Sequence, residues 1–168
     1  MNIIDELRVL IGTELIDVGR AANMVWLHFT KDEESKYALH LQCPFRFETN
    51  EGILVTSGDM YFPATSFNEE YSDYAYDVQE KNLFDEKAVM LINGYYVQEL
   101  ITGKHNDLHI EFSGEISLNT FTNSSTNEEQ WRFFQVVKFK TKEEREEYFD
   151  IHPECNHLVV TPIGFSNS

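Results

Sequence analysis

Residues 37–47, YALHLQCPFRF, decide how the chain is read. Tyr37, Leu39 and Leu41 alternate with Ala38, His40 and Gln42, a period of two that sends alternate side chains to opposite faces of a strand. The spacing predicts one half-buried strand over 37–47. His40 and Cys43 then fall on opposite faces unless Pro44 bends the chain, so they form no ready chelating or nucleophile-base pair.

The same stretch points to a repeat. FRF at 45–47 matches WRF at 131–133, with Arg46 answering Arg132, and MVWLHF at 24–29 matches DLHIEF at 107–112. Upstream, Asn2, Asp5, Glu6 and Val9 correspond to Asn82, Asp85, Glu86 and Val89 at a constant offset of 80, and Gly12 corresponds to Gly94. Self-similarity over so long a period, in only two copies, argues for duplication rather than a solenoid.

Each copy starts with a short amphipathic helix. Ile3, Ile4, Leu7, Leu10 and Ile11 stand at helical spacing, with Asn2 as N-cap, acids in the first turn and Gly12 at the end. NLFDEKAVMLING, residues 82–94, repeats that pattern. Strands are predicted near 14–19, 23–30, 37–47 and 53–57, then near 95–102, 107–113, 115–121 and 131–139, with turn signals at Asn50 to Gly52, Gly103 to Asn106 and Ser113-Gly114. Residues 59–81, with Pro63, form an irregular crossing segment. Thr141 with Glu144 is a capping-box pair for a third helix, and HLVVT at 157–161 supplies a last strand. The expectation is a single α+β domain over 1–168. Two duplicated helix-plus-antiparallel-sheet units, about 2–58 and 82–139, pack together, followed by a C-terminal helix and strand.

Composition narrows the functions. Apolar residues make up 42% of the 168, with 13 Phe and 8 Tyr, which is enough to fill a core. A formal charge of −16 repels phosphate backbones and anionic lipid, so nucleic acid and membrane are excluded as partners and a basic protein partner is favoured. Two cysteines, Cys43 and Cys155, imply no disulfide framework. The N-terminus has no basic region before its apolar stretch, and no run is long enough to span a bilayer, so a cytoplasmic protein is expected.

Taken as a set, GRAANMVWLHF (19–29), YALHLQCPFRF (37–47), SGDMYFP (57–63), NLFDEK (82–87) and EQWRFF (129–134) resemble a family of small, uncharacterised bacterial proteins. The resemblance implies a bacterial source and the α+β architecture, and it carries no catalytic residue to transfer. In type, being small, acidic and free of cofactor motifs, the chain also resembles the immunity proteins of bacterial toxin systems.

Two surfaces are candidates for function. The segment 67–80, FNEEYSDYAYDVQE, sets Glu69, Glu70, Asp73, Asp77 and Glu80 among Tyr71, Tyr74 and Tyr76 without a single basic residue. Rings supply contact area and carboxylates supply complementarity, which suits a Lys/Arg-rich partner. The bland alternative is a solvated loop whose tyrosines pack back on the sheet. The second candidate is a polar face of Arg20, His28, His40, Arg46 and Asp59, for a small ligand or a hydrolytic reaction of unrecognised type. Its bland alternative is structural, with Arg46 and Asp59 as an ion pair. His152, Cys155 and His157 are permitted zinc ligands, but their spacing fits no finger or ribbon, and the acids of 67–80 do not follow a calcium-loop pattern. No dinucleotide fingerprint, P-loop or nucleophile elbow occurs. Neither a metal nor a cofactor is expected, and a binding protein, an immunity-type inhibitor of a basic toxin or nuclease, is expected before an enzyme.

Overall fold

A computed structural model describes residues 3–33, 35–66, 82–136, 143 and 158–160. Asn2, Glu69, Glu70, Tyr71, Asp73, Tyr74, Tyr76, Asp77 and Glu80 lie outside the described residues, as do His152, Cys155, His157 and all of the expected third helix except Glu143.

Both expected helices form and both are short. The first, α1 (Ile3–Leu7), tightens into a 3-10 turn (Arg8–Leu10), and Gly12 leaves it at φ +84°. The second, α2 (Leu83–Ala88), tightens likewise over Val89–Leu91, with Gly94 at φ +72°. Glycine takes this left-handed conformation without the clash a Cβ would bring. Asn82 caps α2, its side chain accepting the backbone N–H of Asp85 at 3.0 Å.

Ten strands follow in chain order: β1 (Glu14–Ala21), β2 (Met24–Thr30), β3 (Lys36–Leu41), β4 (Phe45–Thr49), β5 (Gly52–Thr56), β6 (Val97–Thr102), β7 (Leu108–Phe112), β8 (Ile116–Thr120), β9 (Trp131–Val136) and β10 (Leu158–Val160). They make two antiparallel five-stranded sheets. The first has the order β1-β2-β3-β9-β10 and the second β6-β7-β8-β4-β5. Each sheet therefore takes a three-strand meander from one half of the chain and two strands from the other.

This arrangement corrects the expected strand over 37–47. The ladder stops after Leu41, the N–H groups of Gln42 and Cys43 both donate to the Gln130 carbonyl (2.8 and 3.0 Å), and the Pro44 carbonyl accepts the N–H of Phe121. Pro44 has no N–H to continue a ladder, so the chain leaves the first sheet here and enters the second as β4. The alternation survives the crossing. Leu39, Leu41, Cys43, Phe45 and Phe47 all belong to one buried cluster lying between the sheets.

A helix, a three-strand meander, a crossing and an antiparallel strand pair occur in that order in both halves of the chain, with some shared details. β1 has a bulge between Leu15 and Asp17, and β6 has one between Val97 and Glu99. His40 of β3 stands opposite Arg132 of β9, as Asn119 of β8 stands opposite Arg46 of β4. The two meanders meet where Glu14 bridges Tyr96, flanked by bonds from Gly12 N–H to the Val97 carbonyl and from Leu15 N–H to the Tyr95 carbonyl.

One core serves both sheets and both helices. Phe47 and Phe112 meet at 6.2 Å between ring centres, Phe45 meets Phe84 of α2 at 6.0 Å, and Tyr37 stacks on Phe133 at 5.9 Å. Trp131 is fully buried and its indole N–H is satisfied by the Asn106 carbonyl at 2.8 Å. Each large apolar side chain buried here contributes about 1.5–3 kcal/mol, more than the ~0.2–1 kcal/mol of an exposed ion pair. Among the described residues, no helix is long and apolar enough to cross a membrane.

Cys43 reports on this core. Burial pushes its thiol up to about 11, with the Asp107 carboxylate acting in the same direction. A raised thiol value means that the fold favours the neutral form. This contribution to stability is complete below the ordinary value near 9.0 and is lost as pH climbs from there through about 11. Native protein treated with iodoacetamide at neutral pH should leave the peptide carrying Cys43 unmodified, and urea should expose it to full reaction, as read by mass spectrometry of the digest. Rapid modification of that peptide in native protein would show an open crossing.

Candidate functional site

The outer face of the first sheet carries a built cluster of polar and aromatic groups. The bulge in β1 turns Asp17 outward opposite His28 of β2. Its Oδ2 accepts the Trp26 Nε1–H at 2.9 Å and lies 3.1 Å from His28 Nδ1. Trp26 lies directly over Gly19, where an added Cβ would stand 2.4 Å from the indole Cζ2, so only glycine leaves room for the ring. The half-exposed His28 ring runs nearly parallel to the indole at 6.3 Å.

His40 of β3 stands opposite Trp26 on the same face. Its ring meets Phe134 edge-on at 4.9 Å, and its buried Nδ1 has no hydrogen-bond partner among the described residues. Burial lowers its pKa first, and the nearby Arg132 and His28 charges lower it further, against a smaller opposing effect from Glu129. Its ordinary state at neutral pH is therefore uncharged. Arg132 gives Nε to Glu129 Oε1 at 2.6 Å, and Gln42 Nε2 donates to the same oxygen at 2.5 Å.

The face thus holds an imidazole oriented by a carboxylate, a second neutral imidazole, an indole platform and a guanidinium. Covalent catalysis would also need an activated nucleophile, and the thiol nearest in sequence, Cys43, is turned into the core. No group of three or more His, Cys, Asp or Glu able to hold a metal ion occurs among the described residues.

Of the five polar residues expected to share a face, only His28 and His40 do. Arg20 turns to α2, its Nε and Nη2 reaching Asp85 at 2.8–3.1 Å, and so ties β1 to the second helix. The expected ion pair between Arg46 and Asp59 does not form. Arg46 projects from the outer face of the second sheet, with Nε 2.7 Å from Glu48 and the guanidinium 5.1 Å from the centre of the Phe121 ring. Asp59 is instead claimed by the Thr56 N–H at 3.0 Å, which it caps, and by Lys87 of α2 at 3.3 Å. Local capping and a helix cation decide its partners.

The second sheet carries a matching chain of contacts. His109 sets Nδ1 2.6 Å from Asn119 Oδ1 and Nε2 2.6 Å from Glu111, while Asn119 Nδ2 donates to Glu48 at 2.8 Å. Beside it runs an open groove of about 470 Å³ lined in part by Glu48, Gln98, Glu111, Glu115 and Ser117. Asp17, Trp26, His109 and Asn119 are not expected at a site from the sequence, and Arg132 stands out only as the counterpart of Arg46. For Trp26, Arg132, His109 and Asn119 the signal is the period of two on the outward positions of β2, β9, β7 and β8, which identifies a face without saying what it meets; Asp17 follows a bulge in β1 that breaks that period.

The described residues on either side of 67–81 are bonded to each other. Pro63 bridges Asn82, Leu83 N–H donates to the Phe62 carbonyl at 2.9 Å, and Thr65 bonds Glu86 through both its backbone N–H (2.8 Å) and its hydroxyl. Those bonds hold the Glu86 carboxyl below its ordinary value. Tyr61 and Phe62, at this anchor, are 41% and 54% exposed.

No family model, curated protein or solved structure matches the chain.

The indole site has a direct test. Gly19→Ala should lift Trp26 off β1, break its bond to Asp17 and shift its fluorescence, at a cost of about 1–3 kcal/mol in urea unfolding. Unchanged fluorescence and stability would mean that the indole is not seated on Gly19.

Proposed function

We propose that this chain is a non-enzymatic, cytosolic bacterial binding protein, an acidic immunity-type inhibitor that covers the basic active-site surface of a toxin or nuclease. One observation carries the reading. Every arginine among the described residues is already matched to a carboxylate: Arg8 to Asp5, Arg20 to Asp85, Arg46 to Glu48 and Arg132 to Glu129. The surplus behind the net −16 is thus carboxylate that no arginine offsets, and it is available to steer a basic partner. The segment holding Glu69, Glu70, Tyr71, Asp73, Tyr74, Tyr76, Asp77 and Glu80 follows, in sequence, a part of the chain where Tyr61 and Phe62 are exposed. Aromatic anchors beside acids suit an interface of this kind. The paired bulges and matched registers support, in addition, an origin by duplication, and the motif set supports kinship with small bacterial proteins.

The test is capture from native lysate at low and high salt, with Asp73→Lys, Asp77→Lys and Glu80→Lys combined as the control. A specific basic partner should be held at low salt and released both by high salt and by the reversal. Capture of every specific partner unchanged by the reversal would remove the reading.

The pairing of Asp17 with His28 favours a second reading, a small-ligand site or a hydrolase of unrecognised type on the first sheet, with His28 Nε2 as acceptor or base. Arg20, Arg46 and Asp59, engaged elsewhere, take no part. A panel of small organic acids and esters screened by thermal shift should then yield a stabilising compound whose effect His28→Ala and His40→Ala both abolish. Full retention of that shift in the variants would rule this site out.

A further inference from the structure

The second sheet shows what a ring beside a carboxylate binds in this molecule. Arg46 sets its guanidinium 5.1 Å from the centre of the Phe121 ring while its Nε stands 2.7 Å from Glu48. A cation is drawn to the negative face of a ring and to a carboxylate alike, and a guanidinium is flat enough to lie on the one while its N–H groups meet the other. Ring, acid and arginine form one unit there, with the arginine supplied by the same chain.

The first sheet holds a ring and an acid without the arginine. Trp26 is partly exposed, and its Nε1–H bonds Asp17 Oδ2 at 2.9 Å. Gly19 leaves room along the Nε1–Cζ2 edge of the indole, so ring and carboxylate are held in fixed relation. The Asp17 side chain is 49% exposed, its contacts among the described residues are Trp26 and His28, both through Oδ2, and no lysine or arginine among them reaches it. The arginines that the sheet brings near are committed elsewhere. Arg20, on β1 itself, turns to Asp85, and Arg132, two strands from Trp26 across His40, is held by Glu129. Asp17 Oδ1 is therefore left open beside the ring.

We propose that Trp26 and Asp17 receive an arginine side chain of a basic protein partner, its guanidinium lying on the indole and donating to Asp17 Oδ1. The inference rests on the basic-partner reading above and names a contact for it. Arginine fits better than lysine because its plane stacks on a ring while its edge meets a carboxylate, whereas an ammonium is a point charge. A second copy of the chain does not fit. Each arginine described is already matched to a carboxylate of its own chain, and a copy would bring a further −16. Tryptophan and arginine are also the residues that most often carry the energy of an interface.

The chain has two tryptophans, and Trp131 is fully buried, so the two indole N–H signals in heteronuclear NMR spectra supply a reporter and an internal control. The probe is a short peptide with a single arginine among glycines and serines, blocked at both ends and titrated into the full chain. The same peptide with citrulline keeps the shape and loses the charge, and a third carries lysine. The arginine peptide should move the Trp26 signal to saturation, leave that of Trp131 in place and bind more tightly than the lysine peptide. It should exceed the citrulline peptide by about tenfold in affinity, and Asp17→Asn, which keeps an acceptor for the indole, should remove most of that margin. Circular dichroism checks that the variant folds; where it does not, the citrulline comparison in the wild type decides. Equal binding of the arginine and citrulline peptides, a Trp26 signal that does not move, or full binding by folded Asp17→Asn overturns the proposal. Capture from native lysate separates it from the reading beneath it. A basic partner released by high salt but held equally by wild type and Asp17→Asn leaves that reading standing and removes this contact, and capture of no basic partner by the wild type overturns both.

Discussion

Neither sheet can complete itself, and this constraint organises the molecule. The meander of β1, β2 and β3 is extended by β9 and β10, and that of β6, β7 and β8 by β4 and β5, so each half of the chain supplies two strands to the other's sheet. The crossings run through Gln42 to Pro44 and through the stretch from Phe121 to Gln130, and hydrogen bonds tie one to the other. With inner faces drawn from both halves, Leu39 and Leu41 pack in the same cluster as Phe45, Phe112, Leu118 and Trp131. Half of the chain alone would leave an open sheet edge and an uncovered apolar face.

That shared core lets the surface carry so lopsided a charge. Exposed like charges at ~4 Å cost on the order of 1 kcal/mol in water and are screened beyond about 8 Å at physiological salt, while each large buried side chain contributes about 1.5–3 kcal/mol. Burial dominates, and the charge remains free to serve association. The arginines show how it is distributed. Each one described is paired with a carboxylate where it stands: two on the outer sheet faces, one joining β1 to α2, and one in the turn after α1. Cations here stabilise local structure and leave the carboxylates to face outward.

The two outer sheet faces carry different chemistry. On the first, Asp17, Trp26, His28 and His40 form an oriented polar and aromatic cluster. On the second, at corresponding registers, His109, Asn119, Glu48 and Arg46 form a closed chain of hydrogen bonds and ion pairs beside an acidic groove. Each face retains one buried nitrogen without a hydrogen-bond partner among the described residues, His40 Nδ1 on the first sheet and Arg46 Nε on the second, the latter beside the Glu48 carboxylate with which it forms an ion pair.

Local chemistry read from residue order was enough to establish several features. The helices at Ile3–Leu7 and Leu83–Ala88 follow from spacing, caps and terminal glycines, and most strands follow from alternation bounded by turns, because these signals act over a few residues. Only the tertiary structure decided that 37–47 is divided between two sheets, because alternation continues unbroken across Pro44 when both sheets bury the same side. It alone decided that Asp59 goes to Lys87 and not to Arg46, and that Asp17, Trp26, His28 and His40 share one face. Partnerships between side chains on separate elements depend on register and crossing geometry, and neither is written in the spacing of residues along the chain.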